Sequence, residues 1–134
     1  MLIRKHQILY FIVATLLFSS LSGCGSNYGT LLEFNGGELY YTSNVSQVEA
    51  SRLGSYLVSE QFFDGSRKTV QLDNNSGTYE FRMVVKKGME DDQEFLQIAK
   101  QTAADLSQDV FGGSPVDIHL CDERLETLRV VVNF

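Results

Sequence analysis

Phe63-Asp-Gly-Ser-Arg-Lys-Thr-Val-Gln-Leu72 lies over Phe111-Gly-Gly-Ser-Pro-Val-Asp-Ile-His-Leu120 without a gap. Phe, Gly, Ser and Leu coincide, and Val70 matches Ile118. Just beyond, with a one-residue shift, Arg82-Met-Val-Val85 lies over Arg129-Val-Val-Val132. Each copy starts in glycine-containing punctuation and runs on into alternating apolar residues, the pattern of a turn feeding a strand. Two such units are too few for an open solenoid and have to close into one domain.

The segments around the copies supply the remaining elements. Leu31-Leu-Glu-Phe34, Asn35-Gly36 and Glu38-Leu-Tyr-Tyr-Thr42 read as a β-hairpin, because Asn-Gly tolerates the positive φ of a tight turn. Ser46 with Glu49 three residues on is a capping-box pattern, and Val45 is placed to staple the helix start. Ala50, Leu53, Tyr56 and Leu57 then share one helical face. Gly54 weakens this helix by about 1 kcal/mol relative to Ala, which points to close packing there. Thr69–Leu72 and Tyr79–Val85 flank the turn-rich Asp73-Asn-Asn-Ser-Gly77 and form a second hairpin. The second helix is expected to open at Asp91 and to carry the apolar stripe Phe95, Ile98, Ala99, Thr102, Ala103, Leu106 and Val110. Val116–Leu120 and Thr127–Val132 close the chain as a third hairpin. The fold expected is α+β: an antiparallel sheet of about five or six strands with two helices on one face, internally duplicated as ββα-ββα-ββ.

Ahead of this domain the chain changes character. Arg4 and Lys5 precede an apolar run from Ile8 to Phe18. As a helix that run spans about 16 Å, roughly half of a hydrocarbon core, which suits a signal-peptide h-region better than a membrane span. Leu21-Ser22-Gly23-Cys24 follows directly and resembles a bacterial lipobox. The resemblance implies cleavage before Cys24 and acylation of its thiol, and two or three acyl chains hold a protein stably on a bilayer. The expected organisation is a lipoprotein signal peptide over residues 1–23, the lipidated Cys24 with a short tether over 24–30, and a single α+β domain over 31–134. Its expected location is the extracytoplasmic face of the cell membrane or outer membrane.

Eleven Lys and Arg stand against seventeen Asp and Glu, for a net charge of -6, and removing the signal takes Arg4 and Lys5 away and no carboxylate. An acidic body lacks the basic footprint of nucleic-acid binding and is repelled by anionic lipid, so the anchor has to be the acyl chains. The 2 cysteines make neither a disulfide framework nor a zinc site. The sequence gives no motif for a cofactor or a metal.

Alternation puts Val116, Ile118 and Leu120 toward the core and Asp117, His119 and Cys121 on the opposite face. Asp, His and Cys are the materials of a thiol nucleophile or a partial metal site. Against that, neighbours at i and i+2 stand roughly 7 Å apart, and the negative Asp122 and Glu123 raise a thiol's pKa where activation needs it lowered. Cys121, the thiol remaining after Cys24 is acylated, is expected to be buried. Arg82 and Arg129 occupy equivalent repeat positions and are expected on the sheet face with Glu80 and His119, while Tyr40 is expected to face outward with Glu38 and Thr42. Tyr40, Arg82, His119, Cys121 and Arg129 are thus the candidate partner or ligand face, and no catalytic set emerges.

Gly37-Glu-Leu-Tyr-Tyr-Thr42, Phe62-Phe-Asp-Gly65, Val70-Gln-Leu72 and His119-Leu-Cys-Asp122 together resemble an uncharacterised bacterial family. That resemblance carries no activity. Its layout is similar to ferredoxin-like βαββαβ domains with an extra strand at each end, a layout that implies no particular function. The expected function is a non-catalytic, lipid-anchored interaction or assembly subunit of a cell-envelope complex, with an envelope protein as partner. The alternative is a small-ligand or metal-binding lipoprotein using the sheet face around His119, Cys121, Arg82 and Arg129.

Overall fold

The computed structural model describes residues 27–132; the signal segment and the lipobox with Cys24 lie outside them. Strand β1 (Thr30–Phe34) turns through Asn35 and Gly36, both at positive φ, into β2 (Gly37–Tyr41). Helix α1 (Gln47–Ser59) follows, then β3 (Thr69–Asn75) and β4 (Thr78–Val84). A single 3-10 turn, Met89–Asp91, leads into helix α2 (Gln93–Asp109), and β5 (Val116–Cys121) and β6 (Thr127–Val132) complete the order ββα-ββα-ββ.

The helix starts obey local chemistry. Ser46 accepts from the Glu49 N–H at 3.2 Å while Glu49 accepts from the Ser46 N–H at 2.7 Å, which satisfies two otherwise orphaned donors. Helix α2 is capped one residue later than its sequence suggests: Asp92, not Asp91, accepts from the Phe95 N–H at 2.8 Å, and Asp91 ends the 3-10 turn. Gly54 has the packing reason its cost implied. A Cβ there would meet the Phe34 ring at 2.2 Å, so only glycine lets α1 lie this close to β1.

The six strands form one sheet in the order β1-β2-β3-β4-β5-β6, and the fold is α+β. The sheet is mixed rather than antiparallel throughout. Each hairpin pairs antiparallel, but β2 pairs parallel with β3 and β4 parallel with β5. Those are the two junctions carrying a helix, and a crossover of that length returns the chain in the direction it left. Nor is the order ferredoxin-like, because there each βαβ unit is split by an intervening strand, whereas here the strands joined by a helix are direct neighbours.

One face of the sheet carries the core. Leu39, Val70, Leu72, Phe81, Ile118 and Leu120 are at most 1% exposed, and they pack with Ala50, Leu53 and Leu57 of α1 and Ala99, Ala103 and Leu106 of α2. Both helices therefore lie on that face. Strand direction reverses between the two crossovers while the step along the sheet keeps its sense. The two crossovers consequently have opposite hands, and one departs from the usual right-handed rule. For the same reason no rotation superposes α1-β3-β4 on α2-β5-β6. The matching strings reflect a shared turn-and-strand pattern rather than a structural duplication, a correction to the expected internal repeat.

Candidate functional site

Cross-strand pairing lines up Leu31, Tyr40, Gln71, Arg82, His119 and Val130 as one row across the face opposite the helices. Beside it runs a second row, Asp73, Glu80, Asp117 and Val132. Three of the five candidate residues, Tyr40, Arg82 and His119, are thus in a single row, with Cys121 two positions along β5 from His119.

Arg129 is not with them. Leu120 pairs with Arg129 but Cys121 pairs with Thr127, so Leu128 is an extra residue and a bulge in β6. The bulge turns Arg129 to the helix-covered side, where Nη2 meets Asp91 Oδ1 at 2.9 Å, and puts Thr127 in the place on the bare face that alternation assigned to Arg129. Arg82 and Arg129 therefore lie on opposite faces.

Around Thr127 a closed polar network forms. Arg82 Nη1 donates to Thr127 Oγ1 at 3.1 Å and to the Leu125 carbonyl at 3.4 Å, and Nη2 pairs with Glu80 at 3.1 Å. His119 Nδ1 lies 2.9 Å from Thr127 Oγ1, and Nε2 lies 3.9 Å from Glu80. The Thr127 hydroxyl thus bridges the Arg82 guanidinium and the His119 ring nitrogen. Burial, reinforced by the Arg82 charge, lowers the His119 pKa below 6.5 despite the opposing pull of Glu80. The ring is neutral at pH 7.

His119 is 8% exposed and Cys121 is fully buried, so these two side chains are shielded from solvent while Thr127 beside them stays exposed. The β5–β6 turn folds back over the shielded pair. Leu125, 5% exposed and at φ 61°, is held in that turn by an N–H bond to the Asp122 carbonyl at 3.0 Å. The Cys121 thiol donates to the backbone carbonyl of His119 at 3.4 Å and not to its ring, and burial pushes its pKa up. A protonated, buried thiol facing a carbonyl is no nucleophile. Tyr40 lies at the other end of the row, where its hydroxyl donates to Glu38 at 3.1 Å and its ring packs edge-on against Tyr28, centroids 5.5 Å apart. The Gln71 amide holds the Tyr28 carbonyl at 2.7 Å, which pins the start of the domain to this face. Asp73 holds its proton less tightly than usual: burial works against this, but hydrogen bonds from Thr42, Asn74 and Asn44 outweigh it.

A second feature lies on the helix side and was missed in the sequence. The helices meet at one end, where Arg52 Nη1 donates to the Val110 carbonyl at 3.3 Å and the Tyr56 hydroxyl to Asp109 at 3.2 Å. Toward the other end they leave a groove of about 390 Å³. Its floor is Phe81, Met83 and Ile118, and its walls include Phe62, Phe95 and Ile98. Ile98, expected in the core stripe, is 57% exposed on α2. The signal was present in the α2 stripe, which is wider than one sheet contact buries, and in the Phe62-Phe63 doublet. Phe63 fills the space beside Gly37, while Phe62 is left to line the groove.

Residues 31–133 match the model of a family N-terminal domain, AF_1994_N. The chain belongs to this family. No curated protein and no solved structure matches it. The family is uncharacterised, so membership fixes kinship and leaves chemistry to the geometry.

Proposed function

We propose that the chain is a lipid-anchored, extracytoplasmic lipoprotein that serves as a non-catalytic interaction or assembly subunit of a cell-envelope complex. The observation that carries the interaction role is the β6 edge. Leu128, Val130 and Val132 are 47%, 44% and 38% exposed on the last strand of the sheet. An edge strand offers unpaired N–H and C=O groups to an incoming strand, and proteins normally blunt such edges with charge or proline. Here the one charged side chain of β6, Arg129, is already engaged by Asp91. The anchor rests on Leu21-Ser22-Gly23-Cys24 behind its apolar run. With Tyr28 pinned to Gln71, the segment from Cys24 reaches at most about 14 Å, which keeps the domain at the bilayer surface.

The test is a mild in-cell crosslink of the tagged full-length protein, with partners identified by mass spectrometry. A stoichiometric envelope protein is expected, lost in Cys24→Ala and in the β6 variant Val130→Lys/Val132→Lys while each variant stays folded. Partners equally present in all three samples would sink the reading.

A further inference from the structure

We infer that the groove between α1 and α2 is a docking site for a partner polypeptide segment that inserts apolar side chains flanked by lysine or arginine. This rests on the interaction reading and assigns a second surface to it, separate from the β6 edge. The argument starts from the walls. Phe62, Phe81, Phe95 and Met83 give an aromatic and thioether lining, and about 390 Å³ is within the range of pockets that take a ligand group.

The rim decides the charge of the occupant. Glu60 and Asp105 both border the groove. Neither is in an ion pair among the described residues, and the Asp105 carboxylate accepts only a neutral amide, Gln101 Nε2 at 2.9 Å. The one cation at the rim, Lys68, is already committed: Nζ donates to the Phe62 carbonyl at 2.6 Å, lies 4.9 Å over the Phe62 ring and pairs with Asp64 at 3.5 Å. Tyr56, which also borders the groove, registers the negative field. Its pKa is pushed up to about 12, first by burial, then by Asp109, with Glu60 and Asp105 adding to it. An apolar floor beneath uncompensated carboxylates is complementary to an apolar anchor with a cation beside it.

Charge also decides between a lipid and a polypeptide. Thr30, where the tether meets the sheet, shares one cross-strand row with Tyr41, Leu72 and the groove-floor residues Phe81 and Ile118, so the groove lies on the helix-covered side of the same row. Its acidic rim, Glu60 and Asp105, repels anionic lipid headgroups and attracts a cationic side chain, which favours a polypeptide anchor.

The test places the photo-crosslinker p-benzoylphenylalanine at Ile98, on the exposed rim, in the full-length protein in cells. The adduct is digested and the attached segment sequenced. Expected is a polypeptide segment with apolar residues next to Lys or Arg. Its yield should fall by about tenfold in Glu60→Lys/Asp105→Lys and hold in Glu123→Lys/Glu126→Lys, which makes the same change in net charge elsewhere. A thermal melt of each variant separates lost docking from lost folding. A lipid adduct, a segment without a cation, or a yield indifferent to the rim reversal would overturn the proposal. So would the absence of any adduct at Ile98 when the same crosslinker at Val130 gives one, and that pattern leaves the interaction reading standing. No adduct from either position overturns both.

Discussion

On the helix-covered face, Leu39, Val70, Leu72, Phe81, Ile118 and Leu120 are kept from water by the apolar flanks of two helices. On the bare face His119 and Cys121 are kept from water with no helix above them, by a turn folded back over the strands and a polar network that closes on itself. The first kind of burial scales with apolar area and tolerates conservative change. The second depends on every donor meeting its acceptor, so a single lost partner leaves several groups stranded. Direction along a strand decides which face a residue occupies, but only the covering decides whether that residue is wet.

The largest effect belongs to the covered face. Phe63 is 1% exposed, fills the space a Gly37 Cβ would take, and stacks on Phe34 with centroids 6.4 Å apart. Phe63→Ala should cost about 3–5 kcal/mol, read as a fall in the urea midpoint at unchanged slope. A loss below about 1 kcal/mol would show that this face is not the cooperative core.

Thr127→Val sharpens the contrast on the bare face. The change keeps shape and removes the hydroxyl that both Arg82 and His119 use. An expected loss of about 1–3 kcal/mol follows from leaving the half-buried Arg82 donor and the buried His119 ring nitrogen without their shared hydroxyl. A loss under about 0.5 kcal/mol is what a solvated sheet surface gives, and it would mean the network is incidental.

Much of this division was legible beforehand. Val116, Ile118 and Leu120 face the core and Asp117, His119 and Cys121 face away, as alternation requires, and the burial of Cys121 was expected for a lone thiol. Arg129 was misplaced because a bulge at Leu128 leaves no mark in a run such as Thr-Leu-Arg-Val-Val-Val, where every register offers an apolar residue. The parallel junctions were missed because hydrophobic pattern gives a strand's faces and not its neighbours. The groove escaped for a related reason: Ile98 satisfies helical periodicity whether or not another element covers it.

Acid titration gives a third, smaller test of the polar network. The folded-state pKa of His119 is depressed, so on acidification the unfolded chain takes up the proton first. Stability present above 6.5 should therefore fall as pH drops from 6.5 toward the folded value. Glu49 and Asp73, whose pKa values are lowered from 4.5 and 3.8, add their losses only further down, as the pH drops through those values. The urea midpoint measured from pH 7 to pH 5 isolates the histidine, and His119→Gln should flatten that limb. A limb equally steep without His119 would assign it to another group.

The smallest effect on folding is expected at the sheet's rim, where the two edges differ. Strand β1 carries Glu33, exposed, opposite Glu38 of β2, so a strand arriving there meets charge. Strand β6 offers Val130 and Val132 on the bare face, with its only charge held by Asp91. Val130→Lys adds a charge at a position 44% exposed and should shift stability by less than about 0.5 kcal/mol. The same substitution should nevertheless remove the proposed envelope partner from the in-cell crosslink, because a lysine on an edge strand opposes strand addition without disturbing the sheet behind it. Leu31→Lys on β1 is the matched control, exposed to 40% and already beside an acidic pair. Loss of the partner with Val130→Lys and retention with Leu31→Lys would locate docking at β6. Equal loss from both would mean that lysine disturbs anchoring or folding generally, and equal retention would move the contact off the sheet edges to the groove between the helices.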